Sequence, residues 1–238
     1  MSPTFENPIF CAFDTPDVET AQSLSNDLLG SIGGIKMGVE FFYSEGPDGY
    51  KKLAEAGCPI FLDLKLHDIP NTVAKGVGSL LHLEPSLMTI HTQGGPHMMA
   101  AAAKAADEAL GQGFRRPKII GVTVLTSLDQ TDINAMGILG DVKDQVARLG
   151  RLAKEAGLDG CVCSPFEIEI LRDVCGDDFL LVVPGIRPDG VVVGDQKRVM
   201  GPKEAVRAGA DILVIGRPIT GADDPRSAAN NILDEINN

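Results

Sequence analysis

Eight short apolar segments recur along the 238 residues at a steady interval, each followed by a helical pattern. They lie at 9–14, 34–38, 60–65, 87–92, 119–126, 160–164, 180–186 and 212–216. Apolar runs of this length bounded by turn signals read as buried strands. The stretches between them carry helix punctuation. Thr15-Pro16 offers an N-cap with proline at the first helical position, Val18, Ala21, Leu24 and Leu28 follow at helical spacing, and Gly30 stops the helix. Ser164-Pro165-Phe166-Glu167 reads as a capping box with Gly176 as its stop, Pro202, Ala205, Val206 and Gly209 repeat the scheme, and Asp224-Pro225 starts a last helix with Ile232, Leu233 and Ile236 on its apolar face. Eight β-α units in this length predict an α/β fold, a (β/α)8 TIM barrel forming a single catalytic domain over residues 1–238. A doubly wound open sheet is the competing architecture. There is no linker, low-complexity tract or composition shift to suggest a second domain.

Several function classes are closed off early. The formal charge is −12, from 21 Lys and Arg against 33 Asp and Glu, and such a surface repels nucleic-acid phosphates. No apolar run approaches the roughly 18 residues that span a membrane. Residues 1–8 lack the basic and apolar segments of a signal peptide, so a cytoplasmic chain with no membrane or nucleic-acid partner is expected. The five cysteines (Cys11, Cys58, Cys161, Cys163, Cys175) are odd in number and form no C-x-x-C pair, which predicts reduced, mostly buried thiols and no zinc site. No Gly-x-Gly-x-x-Gly follows the first strand and no Gly-x-x-x-x-Gly-Lys-Ser/Thr occurs, which weakens dinucleotide-binding and nucleotide-hydrolase readings.

The informative residues are charged side chains in apolar strands. Side chains alternate across a strand, and in the third segment Ile60, Leu62 and Leu64 suit the face under the helices. Phe61, Asp63 and Lys65 then point into the barrel. Chemistry in this fold resides at the C-terminal strand ends, and a buried ion pair brings little net stability of its own. Lys36 repeats the anomaly between Ile35 and Met37, where the bland alternative is a lysine snorkelling to the rim. Asp14 ends the first segment, where capping of the next helix competes. His91 also has inward parity and reads as a core or rim histidine with no assigned role. Asp68 completes an Asp-x-Lys-x-x-Asp pattern three residues past Lys65.

Near the other end of the chain, Arg187 and Arg217 follow the seventh and eighth segments. Loops after these two strands commonly hold phosphate in this fold. Gly216 permits close backbone approach and Arg217 can grip a phosphate bidentately, against the plain reading of surface arginines. The stretch 188–200, which contains Gln196, exceeds the usual loop length and reads as a lid.

The segment from Asp63 to Thr72, DLKLHDIPNT, resembles the signature of the orotidine 5′-phosphate decarboxylase family in its bacterial form. Ala12-Phe13-Asp14, Ile35-Lys36-Met37-Gly38, Val122 to Ser127, Pro184-Gly185-Ile186-Arg187, Gly194-Asp195-Gln196 and Ile215-Gly216-Arg217-Pro218 also look like family segments in the right order. The resemblance implies a homodimer with shared active sites that converts orotidine 5′-phosphate to UMP and carbon dioxide, the last step of de novo UMP synthesis, with no metal or organic cofactor. It implies Lys65 as proton donor, Asp63 beside the substrate carboxylate, Lys36 completing an alternating charge network, and Asp68 entering from the partner subunit. Asp14 and Lys36 would hold ribose hydroxyls, with Thr72 adding contacts across the interface. Thr126 or its neighbour Ser127 would meet the pyrimidine, Ile69 would pack near the reacting end of the base, and Arg187, Gln196, Gly216 and Arg217 would hold the phosphate.

Two rivals share parts of this pattern. Sugar-phosphate enzymes of the same structural group, such as keto-gulonate-phosphate decarboxylases and hexulose-phosphate synthases, share the Asp-x-Lys-x-x-Asp spacing but bind magnesium. The His67-Asp68-Ile69-Pro70-Asn71-Thr72 continuation speaks against them. A non-catalytic nucleotide-phosphate sensor would not need Asp63 and Lys65 to face inward. For a polyanionic substrate and a chain at −12, long-range steering is unfavourable, so attraction must be local, from Lys36, Lys65, Arg187 and Arg217.

Overall fold

We describe residues 5–188 and 200–238 from a computed structural model. Among these residues eight parallel strands close into a barrel in sequence order, so the open-sheet alternative is excluded. The first half runs β1 (Ile9–Phe13), α1 (Val18–Leu28), β2 (Gly34–Gly38), α2 (Val39–Ala54), β3 (Ile60–Leu66), α3 (Pro70–Leu80), β4 (Leu87–His91) and α4 (Pro96–Gly111). The second runs β5 (Lys118–Val122), α5 (Gln130–Ala135), α6 (Val142–Glu155), β6 (Gly160–Val162), α7 (Ile168–Cys175), β7 (Leu180–Pro184), α8 (Pro202–Ala208), β8 (Ile212–Ile215), α9 (Arg217–Thr220) and α10 (Pro225–Asn237). No helix among the described residues is long and apolar enough to cross a membrane.

Strand alternation divides the apolar core into two layers. Ile9, Cys11, Phe13, Ile35, Met37, Ile60 and Leu62 are buried outside the barrel wall, beneath the helices. Phe10, Ala12, Phe61, Ile120, Val182 and Val214 fill its interior. Interior packing matches large against small: a Cβ at Gly34 would lie 2.3 Å from the Phe10 ring, so β2 presents no side chain where that ring needs room. Burying a side chain such as Phe10 stabilises the fold by roughly 1.5–3 kcal/mol.

Several element bounds differ from expectation. The fifth strand was expected over 119–126 but ends at Val122. Beyond it Thr123 turns its hydroxyl back to donate to the Val162 carbonyl at 2.8 Å, which releases the following residues to the barrel rim. The seventh strand stops at Pro184, two residues before the expected end. Helix α1 is capped by Asp17 rather than Thr15, because the Asp17 carboxylate accepts from Thr20 N at 2.7 Å. The first helix therefore has a cap of its own, which frees Asp14 for other partners. The capping box is formed as expected, with Ser164 N donating to Glu167 Oε2 at 2.8 Å, although the turn it opens is a short 3-10 helix that runs into α7. Four of the five cysteines are buried and Cys58 is half-buried. Residues 189–199, including Gln196 and most of the expected lid, lie outside the described residues.

Candidate active site

A cleft of about 280 Å³ opens at the C-terminal ends of the strands. Its floor is the inner apolar layer, chiefly Phe61, Val122, Val162, Val182 and Val214, while Asp14, Lys36, Asp63, Lys65, Arg187 and Arg217 supply its charged wall. The charges come from five strands made contiguous by closure: β7, β8, β1, β2 and β3. An apolar floor with cations on its wall suits a ligand that carries anionic groups.

The charges alternate in sign along the wall. Lys36 Nζ lies 3.5 Å from Asp14 Oδ1 and 3.5 Å from Asp63 Oδ2, and Lys65 Nζ lies 2.7 Å from the same Asp63 oxygen. Asp14 thus pairs with Lys36 and caps no helix. Gly38 makes space for this row, since a Cβ there would sit 3.2 Å from Lys36 Nζ. Asp63 is 6% exposed. Burial pushes its carboxyl up, but the charges of Lys36 and Lys65, with hydrogen bonds from Lys65 and Thr89, outweigh burial and hold it below the usual carboxylate range. It is therefore an anion inside an apolar barrel. Buried charge networks of this kind contribute little net stability, and strongly perturbed carboxylates in clefts cluster at functional sites.

Lys65 has a backbone feature that strand alternation does not foretell. Its φ is 51°, in the left-handed region, and the β3–β4 register shifts between Leu62 and Leu66. A non-glycine residue held there costs about 1–2 kcal/mol. Strain of that size at a charged cleft residue accompanies function more often than packing.

The arginines stand across the cleft from Lys65, one after β7 and one after β8. A Cβ at Gly216 would make ordinary contact with Ala12 Cβ at 3.4 Å, and the glycine leaves the backbone bare on the cleft wall. Thr126 also lines the cleft, whereas its neighbour Ser127 is exposed and stands outside it.

Besides Ser127, three expected site residues are not brought to this cleft within one chain. Asp68, Ile69 and Thr72 are exposed, at the end of β3 and on the first turn of α3. Asp68 Oδ1 accepts from Ile69 N at 2.6 Å, and Ile69 is 66% exposed. Gln196 cannot be placed, since it lies outside the described residues. His91 sits at the end of β4 with its ring 5.3 Å from that of His67, and burial together with the charges of His67 and Lys65 lowers its pKa.

Thr89 escaped the sequence reading. It is 1% exposed, donates its hydroxyl to Asp63 Oδ1 at 2.8 Å, and accepts from Lys65 N at 2.9 Å. The available signal was parity: Thr89 lies between Leu87 and His91 on the inward face of β4. Among the described residues, no group of three or more His, Cys, Asp or Glu side chains is placed to hold a metal ion.

The chain is similar to known proteins over nearly its whole length. The sequence profile of the orotidine 5′-phosphate decarboxylase / HUMPS family matches residues 7–232. Orotidine 5′-phosphate decarboxylase of Rhodospirillum rubrum is 52% identical over 238 aligned positions, covering 99% of this chain and 96% of that protein. The protein of the same name from Paramagnetospirillum magneticum is 49% identical over 231 positions, covering 97% and 98%. A crystal structure of orotidine 5′-phosphate decarboxylase from Lactobacillus acidophilus matches with a TM-score of 0.84 at 38% identity, over 98% of this chain and 100% of that one.

Proposed function

The chain belongs to the orotidine 5′-phosphate decarboxylase family, and we propose that it converts orotidine 5′-phosphate to UMP and carbon dioxide with Lys65 as the proton donor. The observation that carries this reading is the alternating row Asp14, Lys36, Asp63 and Lys65 on the rim of an apolar cleft.

The bond between carbon 6 of the pyrimidine and its carboxylate breaks with both electrons left on carbon 6. Carbon dioxide departs, the Lys65 ammonium gives its proton to carbon 6, and the lysine recovers a proton from water. The carbanion has no neighbouring group to delocalise its charge, so the protein must lower the barrier by on the order of 20 kcal/mol. An ammonium fixed where the negative charge develops does so electrostatically and then delivers the proton. The Asp63 anion, held 2.7 Å from Lys65, aims that ammonium and would lie beside the substrate carboxylate. Asp14 and Lys36 would hold ribose hydroxyls, and Thr126, which lines the cleft, would meet the base. Arg187, Arg217 and the open backbone at Gly216 would hold the phosphate with Gln196. Phosphate binding is remote from the breaking bond, so its energy can serve closure and orientation.

The exposed Asp68, Ile69 and Thr72 suit a homodimer in which each chain completes the other's cleft. The reading uses no cofactor, and it places the protein in the cytoplasm with a small-molecule substrate.

A spectrophotometric assay with orotidine 5′-phosphate tests the reading, and the rate should be unchanged after exhaustive EDTA treatment. Loss of activity with chelator and recovery with magnesium would move the chain to the sugar-phosphate branch of its family. Arg217→Ala should lower kcat/KM about 10²-fold or more, because a bidentate charge-assisted contact to phosphate contributes about 3 kcal/mol. Steady-state kinetics checks this, and a change below about threefold would remove Arg217 from the phosphate site.

A further inference from the structure

We propose that Thr89 is a positioning residue for this reaction, holding Lys65 and Asp63 in their working relation from behind the cleft. The inference rests on the decarboxylase reading above and names a residue that reading does not use.

Strands β3 and β4 pair at Leu62↔Met88 and again at Leu66↔Ile90. Between those points β3 advances four residues and β4 only two, so Asp63, Leu64 and Lys65 bulge opposite Thr89. A bulge disrupts the regular ladder and re-aims side chains. Here the Lys65 N–H takes a side-chain acceptor, the Thr89 hydroxyl, at 2.9 Å. A hydroxyl that accepts there must point its single hydrogen elsewhere, and this one points to Asp63 Oδ1 at 2.8 Å. With Oδ1 turned to Thr89, Oδ2 faces Lys65 Nζ at 2.7 Å and Lys36 Nζ at 3.5 Å.

One hydroxyl thus closes a ring of contacts. The Lys65 main chain is tied to Thr89, its ammonium to Asp63, and Asp63 back to Thr89. The left-handed φ of Lys65 needs such support, because strained conformations persist only where their surroundings hold them. The branched threonine is stiff about χ1, which fixes the hydroxyl in direction as well as in place. Thr89 does not line the cleft, so it acts through Lys65 and Asp63 and not on the substrate.

The test compares Thr89→Val, Thr89→Ser and Thr89→Ala with wild type. Valine keeps the shape and removes the hydroxyl, leaving the Lys65 N–H and Asp63 Oδ1 without it. Its kcat for orotidine 5′-phosphate should fall about 10²-fold, the effect of a misplacement near 1 Å, while KM and the dissociation constant of UMP stay within about threefold. Serine keeps the hydroxyl and should retain kcat within about fivefold, even though loss of the methyl lowers its Tm. Should the valine variant not fold, serine and alanine lack the same methyl and differ in the hydroxyl alone, and serine should be about 10²-fold faster. Wild-type kcat in the valine variant, or equal kcat for serine and alanine, would reduce Thr89 to packing. A wild-type chain inactive on orotidine 5′-phosphate overturns the decarboxylase reading itself and this inference with it, whereas active wild type with indifferent variants overturns only the inference.

Discussion

Lys65→Ala is expected to lower kcat/KM by about 10⁴-fold or more while leaving the fold intact. Two losses combine. Removing a positioned proton donor costs about 10²–10⁴-fold, and removing a fixed charge aimed at a developing anion costs about 10²–10³-fold. No second cation takes its place, because Lys36 is held 3.5 Å from both Asp14 and Asp63. The fold survives for reasons visible around the site. Asp63 keeps Lys36 and the Thr89 hydroxyl as partners. Alanine carries the same Cβ into the left-handed position, so the backbone strain at φ 51° is unchanged. A thermal melt and circular dichroism establish folding, and initial rates with orotidine 5′-phosphate give the effect. A folded variant that kept more than a few per cent of kcat/KM would take Lys65 out of the proton-donor role.

The second large effect separates two chains. If Asp68 reaches across a two-fold interface, each working site joins Lys65 of one subunit to Asp68 of the other. Lys65→Ala and Asp68→Ala homodimers are then both nearly inactive. In a hybrid dimer one site carries both defects and the other carries neither. Random 1:1 mixing makes about half of the dimers hybrids, each with one sound site, so activity recovers to about a quarter of wild type. The geometry that motivates this is specific: Asp68 is exposed on its own chain, its Oδ1 accepts from Ile69 N, and Pro70 starts α3 immediately beyond. Subunit exchange is verified by native mass spectrometry before rates are measured. Verified hybrids without recovery would mean that Asp68 acts within its own chain or that the two sites are not independent.

Much of the cleft's charged wall was legible because strand alternation has only two phases. Where Ile60, Leu62 and Leu64 claim the outer face, Asp63 and Lys65 have only the inner one, and Lys36 between Ile35 and Met37 follows the same rule. Thr89 was passed over because a neutral threonine on an inward face breaks no rule and raises no electrostatic alarm. Its role depends on the bulge in β3, which two strands set jointly. The end of β5 was misplaced for a similar reason. Val122 to Thr126 is apolar enough for a strand, but the Thr123 hydroxyl bonds the Val162 carbonyl and the chain leaves the sheet. The cap of α1 was assigned to Thr15 because proline follows it, yet the Asp17 carboxylate reaches the free N–H of Thr20. Whether Thr126 or Ser127 meets the cleft turns on one loop's path, which residue types do not encode.

Sequence alone therefore determined the eightfold alternation, the two faces of each strand, and which charges sit at strand ends, because these follow from local periodicity and from the cost of burying charge. Tertiary structure decided what meets what. Closure pairs Cys11 of β1 with Ile215 of β8, and only that ring brings Asp14, near the start of the chain, within reach of Gly216 and Arg217, near its end. The left-handed backbone at Lys65, the Thr89 hydroxyl behind it and the orientation of both Asp63 oxygens are likewise products of register between neighbouring strands. Register is a property of pairs of segments, and no single segment contains it.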